Sequence, residues 1–231
     1  TRPSLVERSL SSTSEGLVAA VESATATTLI ELACETDFVA KSDKFIALGN
    51  AVLQALADSG AETVDAALAA KAGNGTVESL ISDEAAILGE KIELRRLARI
   101  PGNKFAVYLH RTSKDLPPQV GVVVAFEGDD AETIRSVAQH ISFADPQYLT
   151  RDEVPAETVE NERRIVEEIS RGEGKPEAAL PKIVEGRVAA FFKQVALLDQ
   201  DYAKDNKVSV GKVLSDAGLK VTGFARFKVG A

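Results

Sequence analysis

One ordering of apolar runs constrains this chain more than any other feature: two strand-like runs, helical stretches, then a third strand-like run, and the series occurs twice in 231 residues. In the first pass, residues 16–22 and 28–34 are short runs rich in Leu, Ile and Val, parted by the polar, small-residue segment 23–27. Phe45, Leu48, Val52 and Leu56 then recur at helical spacing, with Ser42 where an N-cap belongs and Gly60 where a helix stops. Residues 61–72 are alanine-rich and helical in part, and 73–75 read Gly-Asn-Gly and break the run. A further helix over 77–88 and a strand over 92–100 close the first pass. The second pass predicts strands at 105–109 and 120–126. A helix follows, opened by Asp129 with Glu132 three residues on and carrying Ile134, Val137, Ala138 and Ile141 on one face. It ends in a helix over 208–217 and an alternating strand over 221–229. The closing strands share local chemistry, LRRLAR at 94–99 and GFARFK at 223–228. Internal duplication is the simplest reading.

The second pass carries an insertion after Pro146, where charge density changes most. Pro155 opens a helix at a position where its missing N–H does no harm. Val159, Val166 and Ile169 give it a narrow apolar stripe among Glu162, Arg163, Arg164, Glu167 and Glu168. Gly172, Gly174 and Pro176 reverse the chain, and Leu180, Val184, Phe191, Val195 and Leu198 return along a coiled-coil-like seam. The expected fold class is therefore α+β: two related subdomains, each a small antiparallel sheet with helices, plus an inserted antiparallel coiled-coil hairpin over 155–198. The expected division is a linker remnant at 1–15, an N-terminal core subdomain at 16–101 and a C-terminal one at 102–231.

Composition narrows the function classes. With 27 Lys and Arg against 35 Asp and Glu the net charge is −8, which opposes nonspecific contact with nucleic acid. The longest apolar run, 120–126, is far short of the ~20 residues a membrane helix needs. One cysteine, Cys34, excludes an internal disulfide and a multi-cysteine zinc site and fits a reducing compartment. The sequence starts at Thr1 and holds no methionine, so a fragment or processed form is expected; no secretory signal is visible in it.

Catalytic motifs are mostly missing: GxGxxG after a strand, GxxxxGK[ST], HExxH and GxSxG are all absent. The two histidines, His110 and His140, lie in different predicted elements. Cys34 at the apolar end of a strand reads as a small buried core residue rather than as a nucleophile. The segment 35–41, ETDFVAK, is different in kind. It places Phe38 beside Asp37 in a loop between strand and helix, and the residues alone leave two readings open: Phe38 as a lid on the core, or Phe38 as a binding wedge.

ELACETDFV at 31–39 resembles the motif of the elongation factor Ts family. LGEKIELRR at 88–96, YLH at 108–110, QVGVVV at 119–124, GKP at 174–176, VEGR at 184–187 and VTGF at 221–224 resemble the same family in the expected order. The resemblance covers nearly the whole chain. It implies a core of two related α+β subdomains with a helical hairpin in the second. It also implies a guanine-nucleotide exchange factor, not an enzyme, that binds the GDP form of the GTPase elongation factor Tu and disturbs its magnesium and nucleotide site. The contact residues it implies are Thr36, Asp37, Phe38, Val39, Leu88, Gly89 and His110, with no catalytic residue, no metal ligand and no cofactor. His140 receives no role.

No direct nucleic-acid or membrane contact is expected, and localisation is cytoplasmic for a bacterial source, with an organellar matrix or stroma as the alternative. A homodimer or 2:2 complex through the hairpin or a sheet stays open. The family usually starts with a small helical domain, which has no counterpart before Thr1. Residues 202–207 and Arg135-Ser136 also depart from some members. Two other readings fit the residues: an assembly module that docks or dimerises through the hairpin, and a small hydrolase using Cys34 with a histidine.

Overall fold

The computed structural model describes residues 12–231; residues 1–11 of the expected linker lie outside the described residues, and Glu15 already opens the first strand. The chain forms two compact units, one of residues up to 142 together with 221–231, the other of residues 143–220. Its class is α+β.

In the first unit, β1 (Glu15–Glu22), β2 (Ala26–Cys34) and β5 (Glu93–Pro101) make a three-stranded antiparallel sheet in the order β1-β2-β5. Every residue of β2 is buried, because both of its faces are covered. Ile30, Leu32 and Cys34 join a core with Phe45, Leu48, Val52 and Leu56 of α2 (Asp43–Ser59) and with Val77 and Ile81 of α4 (Val77–Leu88). Each such side chain contributes on the order of 1.5–3 kcal/mol when fully buried. Ser42 caps α2, its hydroxyl accepting from Phe45 N–H at 3.2 Å. The alanine-rich stretch yields only a six-residue α3 (Val64–Ala69). It gives way to a two-residue ribbon, β3 (Lys71–Ala72) with β4 (Gly75–Thr76).

The other face of β2 meets a second sheet. β6 (Phe105–His110) pairs antiparallel with β7 (Val120–Glu127), and β10 (Lys220–Lys228) completes the order β10-β7-β6. Gly121 sets the approach: a Cβ there would lie 3.0 Å from Leu29 Cδ1 and 3.2 Å from Val18 Cγ2. In both sheets the second strand in sequence is the central one. Helix α5 (Ala131–Ala144) buries Ile134, Val137, Ala138 and Ile141, the face read from the sequence, and His140 with them. Its start differs from the expectation. Asp130, not Asp129, accepts from Thr133 N–H (3.0 Å) and Oγ1 (2.8 Å), while Asp129 sits 2.7 Å from Lys104 Nζ. Of the two adjacent aspartates, only the second reaches the N–H groups of the first turn.

The second unit holds α6 (Ala156–Gly172) and α7 (Leu180–Val195). Val166, Val184 and Val188 form a small core with Val159 and Phe192 against it, and an ion pair joins Arg163 to Glu185. The residues of α7 in this core are Val184, Val188 and Phe192. Phe192 replaces the expected Phe191, because the spacing holds at four residues, and Ile169, expected in the stripe, is 46% exposed. At the base of the pair, Val195 O accepts from Gln147 N–H (2.8 Å) and Tyr148 N–H (3.0 Å), and Leu197 N–H donates to Tyr148 O (2.8 Å). The polar segment around Tyr202 forms a ribbon absent from the sequence reading, β8 (Asp201–Tyr202) with β9 (Asp205–Ser209), before α8 (Val210–Asp216).

Candidate functional site

Between β2 and α2 the chain makes a four-residue helical turn, α1 (Asp37–Ala40), that turns one side inward and the other out. Val39 and Ala40 are buried in the core with Cys34 and Phe45, so Val39 anchors the turn. Phe38 points the other way and is 82% exposed. The lid reading of Phe38 fails on that number. The backbone that presents this ring is densely hydrogen-bonded. Thr36 Oγ1 accepts from Val39 N–H (3.2 Å), Ala40 N–H donates to Thr36 O (3.1 Å), and Lys41 N–H donates to Asp37 O (3.0 Å).

A second segment reaches this turn. Helix α4 ends at Gly89, whose φ of 75° is the left-handed conformation that lets glycine terminate a helix without strain. Glu90 follows, and its carboxylate accepts from Glu35 N–H (3.0 Å), from Thr36 N–H (3.1 Å) and from the Thr36 hydroxyl. Leu88, Gly89 and Thr36–Val39 thus belong to one patch. Ile87, 62% exposed, adds an apolar surface residue that the sequence reading passed over. The signal was present: Val77, Ile81, Ala85 and Leu88 follow the core-facing stripe of α4, and Ile87 falls off it.

The remaining charges are simple. Asp37 meets Lys41 Nζ at 3.1 Å, and this hydrogen-bonded cation holds its carboxyl below the usual range. Cys34 is wholly buried and donates to Thr36 O at 3.3 Å. Burial first, then the nearby Glu90 charge, pushes its thiol from 9.0 up to about 12. That is the reverse of what a thiolate nucleophile requires, and the hydrolase reading loses its basis. His110 lies at the end of β6, exposed, with Nδ1 3.2 Å from Tyr108 Oη and the two rings stacked at 6.1 Å. Among the described residues no group of three or more His, Cys, Asp or Glu is placed to hold a metal ion. No described helix is long and apolar enough to cross a membrane.

Residues 35–231 match the family described as elongation factor TS. The chain belongs to the elongation factor Ts family. Proteins named elongation factor Ts are 70% identical over 221 residues in Leifsonia xyli subsp. xyli and 71% over 220 residues in Clavibacter sepedonicus. The one from Micrococcus luteus is 57% identical over 222 residues. Each alignment covers 95% of this chain and 80% of the relative. Elongation factor Ts proteins are translation elongation factors, and that is the role membership gives this chain.

Proposed function

We propose that the protein is a guanine-nucleotide exchange factor that binds the GDP form of elongation factor Tu, loosens its magnesium and nucleotide, and yields to incoming GTP. The observation that carries this reading is Phe38, an exposed aromatic ring on a turn whose backbone is fixed and whose other side is core. Such a ring is pre-organised to enter a partner, since little ordering entropy remains to be lost on binding. Asp37 beside it brings a carboxylate toward the partner's magnesium. Magnesium demands near-octahedral oxygen geometry and bridges nucleotide phosphates, so a small displacement of its ligands weakens GDP. Linkage supplies the rest: a factor that binds the nucleotide-free GTPase better than its GDP form lowers GDP affinity by the same ratio. No covalent chemistry is involved.

Leu88, Gly89 and His110 extend the contact, with Ile87 added and Val39 acting as the anchor. The architecture that goes with this reading is two related halves, 16–101 and 102–231, supported by the shared strand order of the two sheets. The pair α6–α7 is its inserted coiled-coil hairpin, supported by the four-residue spacing of the seam. A cytoplasmic location follows the bacterial relatives, with an organelle as the alternative. The test is release of a fluorescent GDP analogue from elongation factor Tu on adding the protein or its Phe38→Ala variant. Acceleration by the first, with strong loss in a variant that melts normally, supports the reading. Equal acceleration by both would keep exchange and remove Phe38 from it, and no acceleration by either would leave the assembly-module reading, with the helix pair as the docking element.

A further inference from the structure

Thr36 is held at all of its polar atoms. Its N–H and hydroxyl donate to Glu90, its hydroxyl also accepts from Val39 N–H, and its carbonyl accepts from Cys34 Sγ and Ala40 N–H. Most of these bonds are local and follow from the turn itself. The Glu90 bonds are the exception, because they come from 54 and 55 residues away in sequence and from the segment that carries Leu88 and Gly89. We infer that Glu90 is the positioning residue of the exchange site, the one side chain whose carboxylate fixes the Thr36–Val39 turn, and so Phe38, in register with the end of helix α4. The inference rests on the exchange-factor reading for its consequence, but not for its geometry.

The chemistry selects a carboxylate. Three donors from two consecutive residues converge on one group, and an ionised carboxylate offers acceptor sites on both oxygens and no donor to oppose them. A glutamine keeps the shape but turns one of those positions into a donor facing donors. Position matters equally. Gly89 in its left-handed conformation turns the chain at the end of α4, and the residue directly after that turn is the one whose side chain reaches across. Thr36 is exposed and Glu35 and Glu90 are half-buried, so water can replace the lost bonds. Removing Glu90 should therefore loosen the turn without unfolding the core, which Val39, Ala40 and Phe45 hold independently.

The experiment uses the full chain and two readouts. Amide hydrogen exchange of the free protein, in the original and in Glu90→Gln, follows Val39 and Ala40 with strands β2 and β5 as reference. Local opening is expected to rise about tenfold at the turn alone, the scale of losing charge-assisted hydrogen bonds. GDP release from elongation factor Tu is measured for Glu90→Gln, Phe38→Ala and the double variant. Glu90→Gln should slow release about three- to tenfold, and it should add nothing once Phe38 is gone, because it acts through that ring. Unchanged protection at the turn would overturn the inference, even with slower release, since Glu90 would then act as a bare charge. Faster exchange throughout β2 and β5 would also overturn it and make Glu90 a residue of fold stability. Additive losses in the double variant would separate Glu90 from Phe38 and count equally against it. If the turn loosens while the original itself does not accelerate GDP release, the positioning stands and the exchange reading is what fails.

Discussion

Glu31, wholly buried in the central strand β2, meets the guanidinium of Arg96 on β5 at 2.6 Å. The pair also holds the end of the chain: Glu31 Oε2 accepts from Gly230 N–H (3.0 Å), and Arg96 Nη2 donates to Lys228 O (2.9 Å). Arg95 approaches the same carboxylate at 3.7 Å. A buried ion pair adds little over an apolar replacement, yet removing one partner leaves the other uncompensated. Glu31→Ala should cost about 2–3 kcal/mol, below the usual cost of breaking a buried pair because the arginines keep some contact with water. Urea denaturation with unchanged slope measures it. A loss under about 0.5 kcal/mol would place the pair with weak surface bridges instead.

The helix pair α6–α7 carries the second prediction. Its apolar core is Val166, Val184 and Val188 with Val159 and Phe192, while Ala196 and Leu197 beyond it are wholly buried at the base. Excising 158–190 with a short linker, so that the base bonds of Tyr148 to Val195 and Leu197 remain, should lower helical circular dichroism and preserve a cooperative melt. Cutting as far as Leu198 should do worse. A collapse of the fold in the shorter excision would mean that the pair is integral to the core of its unit.

How far these features were legible in the sequence depends on whether the deciding physics is local. Ser42, Gly60 and the 3.6-residue period of Phe45, Leu48, Val52 and Leu56 gave α2 to the residue, since caps and amphipathic spacing are written in adjacent positions. The capping aspartate of α5 slipped by one, because two adjacent acids look alike until backbone angles choose between them. Glu31 was invisible as a buried charge, for its partners lie 64 and 65 residues away and at the end of the chain. In the site, the pairing of Asp37 with Phe38 was readable, while the bond from Glu90 to Thr36 was not, being a tertiary contact with no periodic trace. Val39 was read as a contact residue with Phe38, and only the handedness of a four-residue turn sends the two neighbours to opposite sides.

Cys34 gives the pH prediction. In the unfolded chain its thiol loses its proton near 9.0, whereas in the folded protein burial holds the proton up to about 12. Between these values the unfolded state binds fewer protons, so stability must fall as pH rises, by at most about 1.4 kcal/mol per pH unit. Well below 9 the group contributes no pH dependence. The quantity to measure is the difference between the original and Cys34→Ala in urea melts from pH 8.5 to about 10.5, which cancels what every other group contributes. The original should lose stability more steeply, and its thiol should resist a water-soluble thiol reagent at pH 8 until denaturant is added. Parallel pH profiles together with rapid labelling would mean that the thiol is not held neutral by the fold.

The last prediction separates the charge of Asp37 from the ring of Phe38. If the acid acts on the partner's magnesium, Asp37→Asn should slow GDP release while leaving complex formation with nucleotide-free elongation factor Tu comparatively intact. The amide is nearly isosteric, so packing survives, but it cannot present a full negative charge to the ion's water shell. The ion pair with Lys41 at 3.1 Å is lost as well, and Lys41→Ala is the control, because it breaks the pair yet keeps the acid. Since Lys41 holds the Asp37 carboxyl below its usual range, the original stays ionised through neutral and mildly acidic pH, and the assay at pH 7 reads charged acid against neutral amide. Excess magnesium should slow exchange by the original, as the ion favours the GDP-bound state with which the factor competes. Release is followed against magnesium concentration for all three proteins. A slow Asp37→Asn with a normal Lys41→Ala assigns the effect to the carboxylate; equal slowing in both assigns it to the shape of the turn. If Asp37→Asn matches the original at every magnesium concentration, the acid has no part in exchange, and the contact belongs to Phe38 with Ile87, Leu88, Gly89 and His110.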